Sequence, residues 1–137
     1  MKNQTIQGVT PRERSSKPID PGVDIGHVHL KTADIDRIYK FYVDILGFDV
    51  VFRRPDALFL SAGGYHHHLG TNTWAAGQPA ASDGDARLLE WEVVVPTASD
   101  AQAALSSVES AGHPVERDTS GGTVSDPWGT KVRVRAT

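Results

Sequence analysis

Apolar and polar positions alternate in two registers along this chain. In "DIGHVHLKT", Val28, Leu30 and Thr32 alternate with His27, His29 and Lys31, the period-two pattern of a strand with one buried face. In "ADIDRIYKFYVDILG" the period changes: Ile35, Ile38, Phe41, Tyr42 and Ile45 recur at helical spacing. Asp34 suits the cap of that helix, and Gly47 suits a left-handed residue just past its end. "FDVVFRR", "ALFLSAGG" and "YHHHLGTNTW" then read as three strands, the first two joined by a turn at Pro55-Asp56. The order is β-α-β-β-β.

Residues 75–87, "AAGQPAASDGDAR", are small, polar and interrupted by Gly and Pro, as in a linker. The pattern then repeats. "LLEWEVVVP" predicts a strand, and "TASDAQAALSSVESAG" a helix capped by Thr97 and closed by Gly112. "HPVERDT", "GGTVSD" and "TKVRVRAT" predict three more strands, with "DPWG" a tight turn before the last. Two β-α-β-β-β modules follow, at about 24–74 and 88–137, within one domain spanning 23–137. The polar stretch 1–22 has no apolar segment of signal-peptide type and predicts a flexible arm.

Composition narrows the functional classes. The formal charge is −3 and no basic block exists, which argues against nucleic acid as a partner. No apolar run reaches membrane-spanning length, so a membrane partner is not expected. There is no cysteine, which removes disulfides and thiolate metal sites and fits a cytoplasmic location. Five of the 6 histidines fall in just two segments, "GHVHL" and "YHHHL", and that concentration is the chemical feature of the chain.

With "GHVHLKTADIDRIYKFYVDILGF" and "DPWGTKVRV" in this order, the sequence resembles the vicinal oxygen chelate superfamily of glyoxalases, bleomycin-resistance proteins and extradiol dioxygenases. "GGYHHHLGTNTW" is similar to its catechol-2,3-dioxygenase-like branch. The resemblance implies an α+β fold in which the two modules curl a mostly antiparallel sheet into a cup, with helices outside. It also implies a homodimer and a small-molecule site in the cup. Metal ligands in such proteins come from the first and last strands of each module. Carried over, they fall on His27, on His68 and on Glu90, where the branch usually has histidine. The fourth position, usually glutamate, is Arg133, which cannot ligate a metal.

Two readings follow. In the first, His27, His68 and Glu90 form a two-histidine, one-carboxylate set for Fe(II), with Mn(II) or Zn(II) as other candidates. Arg133 then clamps an anionic substrate oxygen, and His66 or His29 acts as general base in dioxygenase-like or isomerase-like chemistry on a vicinal-oxygen substrate. Strand alternation in this reading turns His66, His68 and Gly70 toward the cup and His67 away, and packs Leu89, Trp91 and Val93 outward. In the second reading Glu90 pairs with Arg133, no metal binds, and the cup sequesters a small ligand.

Overall fold

The computed structural model describes residues 27–137; the expected arm at 1–22 lies outside the described residues. The first module runs β1 (Val28–Lys31), α1 (Ile35–Tyr39), β2 (Asp49–Arg54), β3 (Ala57–Ser61) and β4 (Leu69–Asn72). The second runs β5 (Glu90–Val95), α2 (Ala98–Ser110), β6 (Val115–Asp118), β7 (Gly121–Ser125) and β8 (Lys131–Ala136). Each module is a four-stranded sheet, ordered β1-β4-β3-β2 and β5-β8-β7-β6. The first and last strands of each module lie side by side and parallel, and the remaining pairs are antiparallel.

Local chemistry sets the helix ends. The Asp34 side chain accepts the Arg37 N–H at 3.0 Å, and Thr97 forms a reciprocal capping box with Asp100. Gly47 and Gly112 take φ of 86° and 87° one step past the helix ends, a conformation that costs glycine least. The first helix departs from the expected regular form: it widens into a π-helical stretch over Lys40–Ile45, where the Leu46 N–H reaches the Phe41 carbonyl at 3.1 Å. The wider turn seats two adjacent aromatics, Phe41 and Tyr42, in the core.

One core serves both modules. Ile38, Phe41, Tyr42, Leu58, Leu60 and Leu69 from the first meet Leu105, Val108, Val124, Val132 and Val134 from the second. Each fully buried aliphatic or aromatic side chain of this kind stabilises the fold by about 1.5–3 kcal/mol. Polar contacts tie the modules at the same place. The Tyr42 hydroxyl donates to Asp126 Oδ2 at 3.1 Å, and Ser107 Oγ donates to the Ile45 carbonyl at 2.7 Å. Asp126 is also the hinge of the "DPWG" turn, where its Oδ1 accepts the Trp128 and Thr130 N–H groups at 2.9 and 3.0 Å. Burial, offset in part by these bonds, raises the Asp126 pKa.

Two local expectations are corrected. "YHHHLGTNTW" is not one continuous strand. Its ladder begins with the backbone of His68, whose carbonyl accepts from Val28 and whose N–H donates to Leu60, both at 2.8 Å. Residues 65–67 precede the ladder and escape its alternation. Trp91 and Val93 pack against the core as expected, but Leu89, just before β5, is 64% exposed.

Candidate metal centre

Alternation along β1 turns Leu30 into the core and leaves His27 and His29 exposed on the opposite face. Register across the sheet continues that face as a row: His29 opposes Gly70, Gly70 opposes Phe59, and Phe59 opposes Phe52. The loop before β4 folds back over the row. It brings the His67 ring 4.5 Å from that of His27, 5.8 Å from His29 and 5.0 Å from Phe59.

One ring nitrogen from each of His27, His29 and His67 lies within 4.8 Å of the other two. Among the described residues this is the one grouping of three or more His, Cys, Asp or Glu side chains so arranged. His67 Nε2 is buried there with no hydrogen-bond partner among the described residues, as is His66 Nδ1. Leaving a buried ring nitrogen unpaired costs about 1–3 kcal/mol. Desolvation, then unfavourable electrostatic interaction with His27, His66 and His29, lower the His67 pKa to about 4. Desolvation and His27 lower that of His29 as well. Both imidazoles are therefore held toward the neutral state that ligates metals.

The donor set fits a divalent cation. Three imidazole donors are the number of protein ligands that catalytic metal sites use, with a further position left for water or substrate. Iron and zinc are both suited to imidazole.

The residues expected to join His27 are not members of this three-histidine grouping. His68 Nδ1 accepts the Ala62 N–H at 3.1 Å, and its ring lies 4.5 Å from that of Tyr65. Glu90 belongs to the second sheet, exposed and in register with Lys131. Arg133 is paired, but not with Glu90: it donates to Asp118 Oδ2 at 2.5 Å, to Ser120 Oγ at 2.8 Å and to Thr123 Oγ1 at 3.4 Å. Glu92 lies 3.9 Å from Arg133 and accepts from Arg135 at 3.0 Å. The direct Glu90–Arg133 pair of the metal-free reading is thus replaced by an Asp118–Arg133–Glu92–Arg135 chain. His66 stays beside the cluster, its ring 4.6 Å from His67 and 6.3 Å from His27.

His67 was set aside by sequence reasoning because alternation was extended one turn too far. The signal that marks the break is "AGGY": Gly63 and Gly64 both adopt positive φ, 63° and 74°, and the chain turns there before it re-enters the sheet. His29 also lines an open cleft of about 1300 Å³ between β1 and β5, together with Lys31, Leu88, Glu90, Trp128 and Lys131.

Comparison with known proteins places the chain in a family. The profile of the Glyoxalase/Bleomycin resistance protein/Dioxygenase superfamily matches residues 24–134, and the chain belongs to that family. A catechol-2,3-dioxygenase from Bacillus subtilis (strain 168) is 39% identical over 106 residues, covering 75% of this chain. The chain corresponds to 37% of that longer protein. Among solved structures, lactoylglutathione lyase from Agrobacterium tumefaciens superposes with a TM-score of 0.65 at 18% identity, covering 85% of this chain and 96% of the other. A glyoxalase/bleomycin resistance protein/dioxygenase from Alicyclobacillus acidocaldarius gives 0.60 at 18%, covering 82% and 90%. At such identities the likeness speaks for the fold. Among the described residues no helix is long and apolar enough to cross a membrane.

Proposed function

We propose that the chain is a metal-dependent enzyme of the vicinal oxygen chelate type, dioxygenase-like in preference to isomerase-like. His27, His29 and His67 hold its divalent cation in this reading. The observation that carries it is the convergence of three imidazole nitrogens around one, His67 Nε2, that is buried without a partner. The preference for dioxygenase chemistry, a catechol-like substrate and Fe(II) over Mn(II) or Zn(II) rests on the 39% identity to a protein named for catechol cleavage.

When bound, the cation supplies chelation of two adjacent substrate oxygens and Lewis-acid activation. The chain's own residues do the rest. Phe59 and Phe52 extend the His29–Gly70 row as an apolar floor that suits a flat ring. His66, at the edge of the cluster with Nδ1 unpartnered, is placed to accept a proton from a substrate hydroxyl. Arg133, committed to carboxylates within its own module, plays no part. A homodimer and a cytoplasmic location belong to the same proposal.

Metal analysis of untagged protein tests it. About one equivalent of iron, manganese or zinc is expected in the wild type and in His68→Ala, and none in His27→Ala or His67→Ala. Retention in His67→Ala with loss in His68→Ala would transfer the site to the set carried over from family resemblance. Absence of metal from the wild type, even after anaerobic reconstitution with Fe(II), would leave the ligand-sequestering reading. That reading draws support from the second module, whose polar face is saturated without a metal.

A further inference from the structure

The imidazole of His29 occupies the space where a side chain on Gly70 of β4 would stand. A Cβ built on Gly70 would meet His29 Nε2 at 2.6 Å, Cε1 at 2.7 Å and Cδ2 at 3.0 Å. All three of these close atoms belong to that one ring. Gly70 needs no unusual backbone conformation, since it is not among the positive-φ glycines. Nor does it mark a turn: it sits inside β4, opposed by His29 on one side and Phe59 on the other. Glycine in a strand interior weakens the strand and often marks a close approach by another group. Here the approaching group is a proposed metal ligand.

Phe59 closes the other side of the seat, its ring 5.9 Å from His29 and 5.0 Å from His67. The His27 ring lies 4.9 Å from that of His29.

We propose that Gly70 is a positioning residue for the metal centre: its missing side chain is the space in which the His29 imidazole lies, and any substituent there swings that ligand out of the cluster. The proposal rests on the reading of His27, His29 and His67 as metal ligands. It adds that a residue with no donor atom sets the affinity of the site. Partners that orient metal ligands change affinity by about 10–100-fold when altered, and a residue that sets ring placement by volume belongs to the same range.

The test is a titration of the full-length apo protein with Co(II), read by the visible ligand-field absorption of the ion and by thermal melting of the apo form. Gly70→Ala is expected to weaken Co(II) binding about 10–100-fold and to change the band shape, with the apo melting temperature nearly unmoved, because the obstacle is a mobile ring and not the backbone. In a His29→Ala background the weak residual Co(II) binding by His27 and His67, read at high Co(II) concentration, is expected to be changed no further by the same substitution, since the ring it displaces is gone. Wild-type affinity in Gly70→Ala overturns the inference while leaving the metal reading intact. An equal loss in both backgrounds also overturns it, since Gly70 would then act through something other than His29. Should Gly70→Ala fail to fold, restored folding in the Gly70→Ala/His29→Ala double variant upholds the seat, and continued misfolding refutes it. A wild type that binds no Co(II) fails at the earlier step and takes the inference with it.

Discussion

The two modules place different chemistry on the same frame. Counted back from the helix caps Asp34 and Thr97, His27 corresponds to Glu90 (34 − 27 = 97 − 90 = 7), and His29 likewise corresponds to Glu92. Register then matches Gly70, opposite His29, to Arg133, opposite Glu92. In the second module the exchange of imidazole and glycine for carboxylate and guanidinium produces a face that satisfies itself: Arg133 joins Asp118 and Glu92, and Arg135 joins Glu92. In the first module ring nitrogens of His27 and His29 converge instead with one of His67, whose Nε2 is buried without a partner among the described residues. One face is satisfied by its own charges, whereas the other brings three imidazoles together.

That contrast can be broken experimentally. The largest expected effect is on the first module: His67→Ala should reduce bound metal, and with it any oxygen uptake on a catechol, to background while the melting temperature stays close to that of the apo wild type. Metal content by mass spectrometry and an oxygen electrode decide it. In the second module Arg133→Ala should do the reverse, lowering the urea midpoint by stranding Asp118 beside Glu92 while Co(II) affinity holds. Equal damage to metal binding would mean the second face reaches the site after all.

A smaller effect is expected at the seam. Tyr42→Phe removes the only donor side chain on Asp126 Oδ2 among the described residues, and should cost about 1–3 kcal/mol in urea unfolding. Loss of that size with unchanged metal content would assign the seam to stability alone.

The smallest effect is a matter of acid. Backbone and hydroxyl donation from Ser120 and the Arg133 guanidinium hold the Asp118 carboxyl down at about 2, against an unfolded value near ~3.9. A depressed acid contributes stability that is fully present above the unfolded pKa and is lost as pH falls through the folded one. Wild type should therefore lose stability between about pH 4 and pH 2, and Asp118→Asn should lose less. Asp126, whose pKa is raised by burial, works in the opposite sense. The comparison of the two proteins cancels its contribution, and parallel pH profiles would show that the Asp118 network carries no such weight.

Much of the fold was legible along the chain because its signals are local. The caps at Asp34 and Thr97, the glycines at 47 and 112, the "DPWG" turn and the doubled β-α-β-β-β order depend on near neighbours and on period, and the structure reproduces them. The π-helical widening at Lys40–Ile45 was not legible, since it answers to the core that Phe41 and Tyr42 must share with the other module. At the candidate site, motif and alternation pointed to His27, but not to the two rings that the structure groups with it, His29 and His67. Period two holds only while the ladder holds, and residues 65–67 lie before it, so the direction of His67 is decided by a loop folding over β1 and β3. Likewise Arg133 finds Asp118 across two strands, a choice among several carboxylates that only packing could make. The amino-acid sequence by itself determined which elements form and which segments carry histidine; tertiary structure alone decided which nitrogens meet, because convergence depends on distances between segments far apart in the chain.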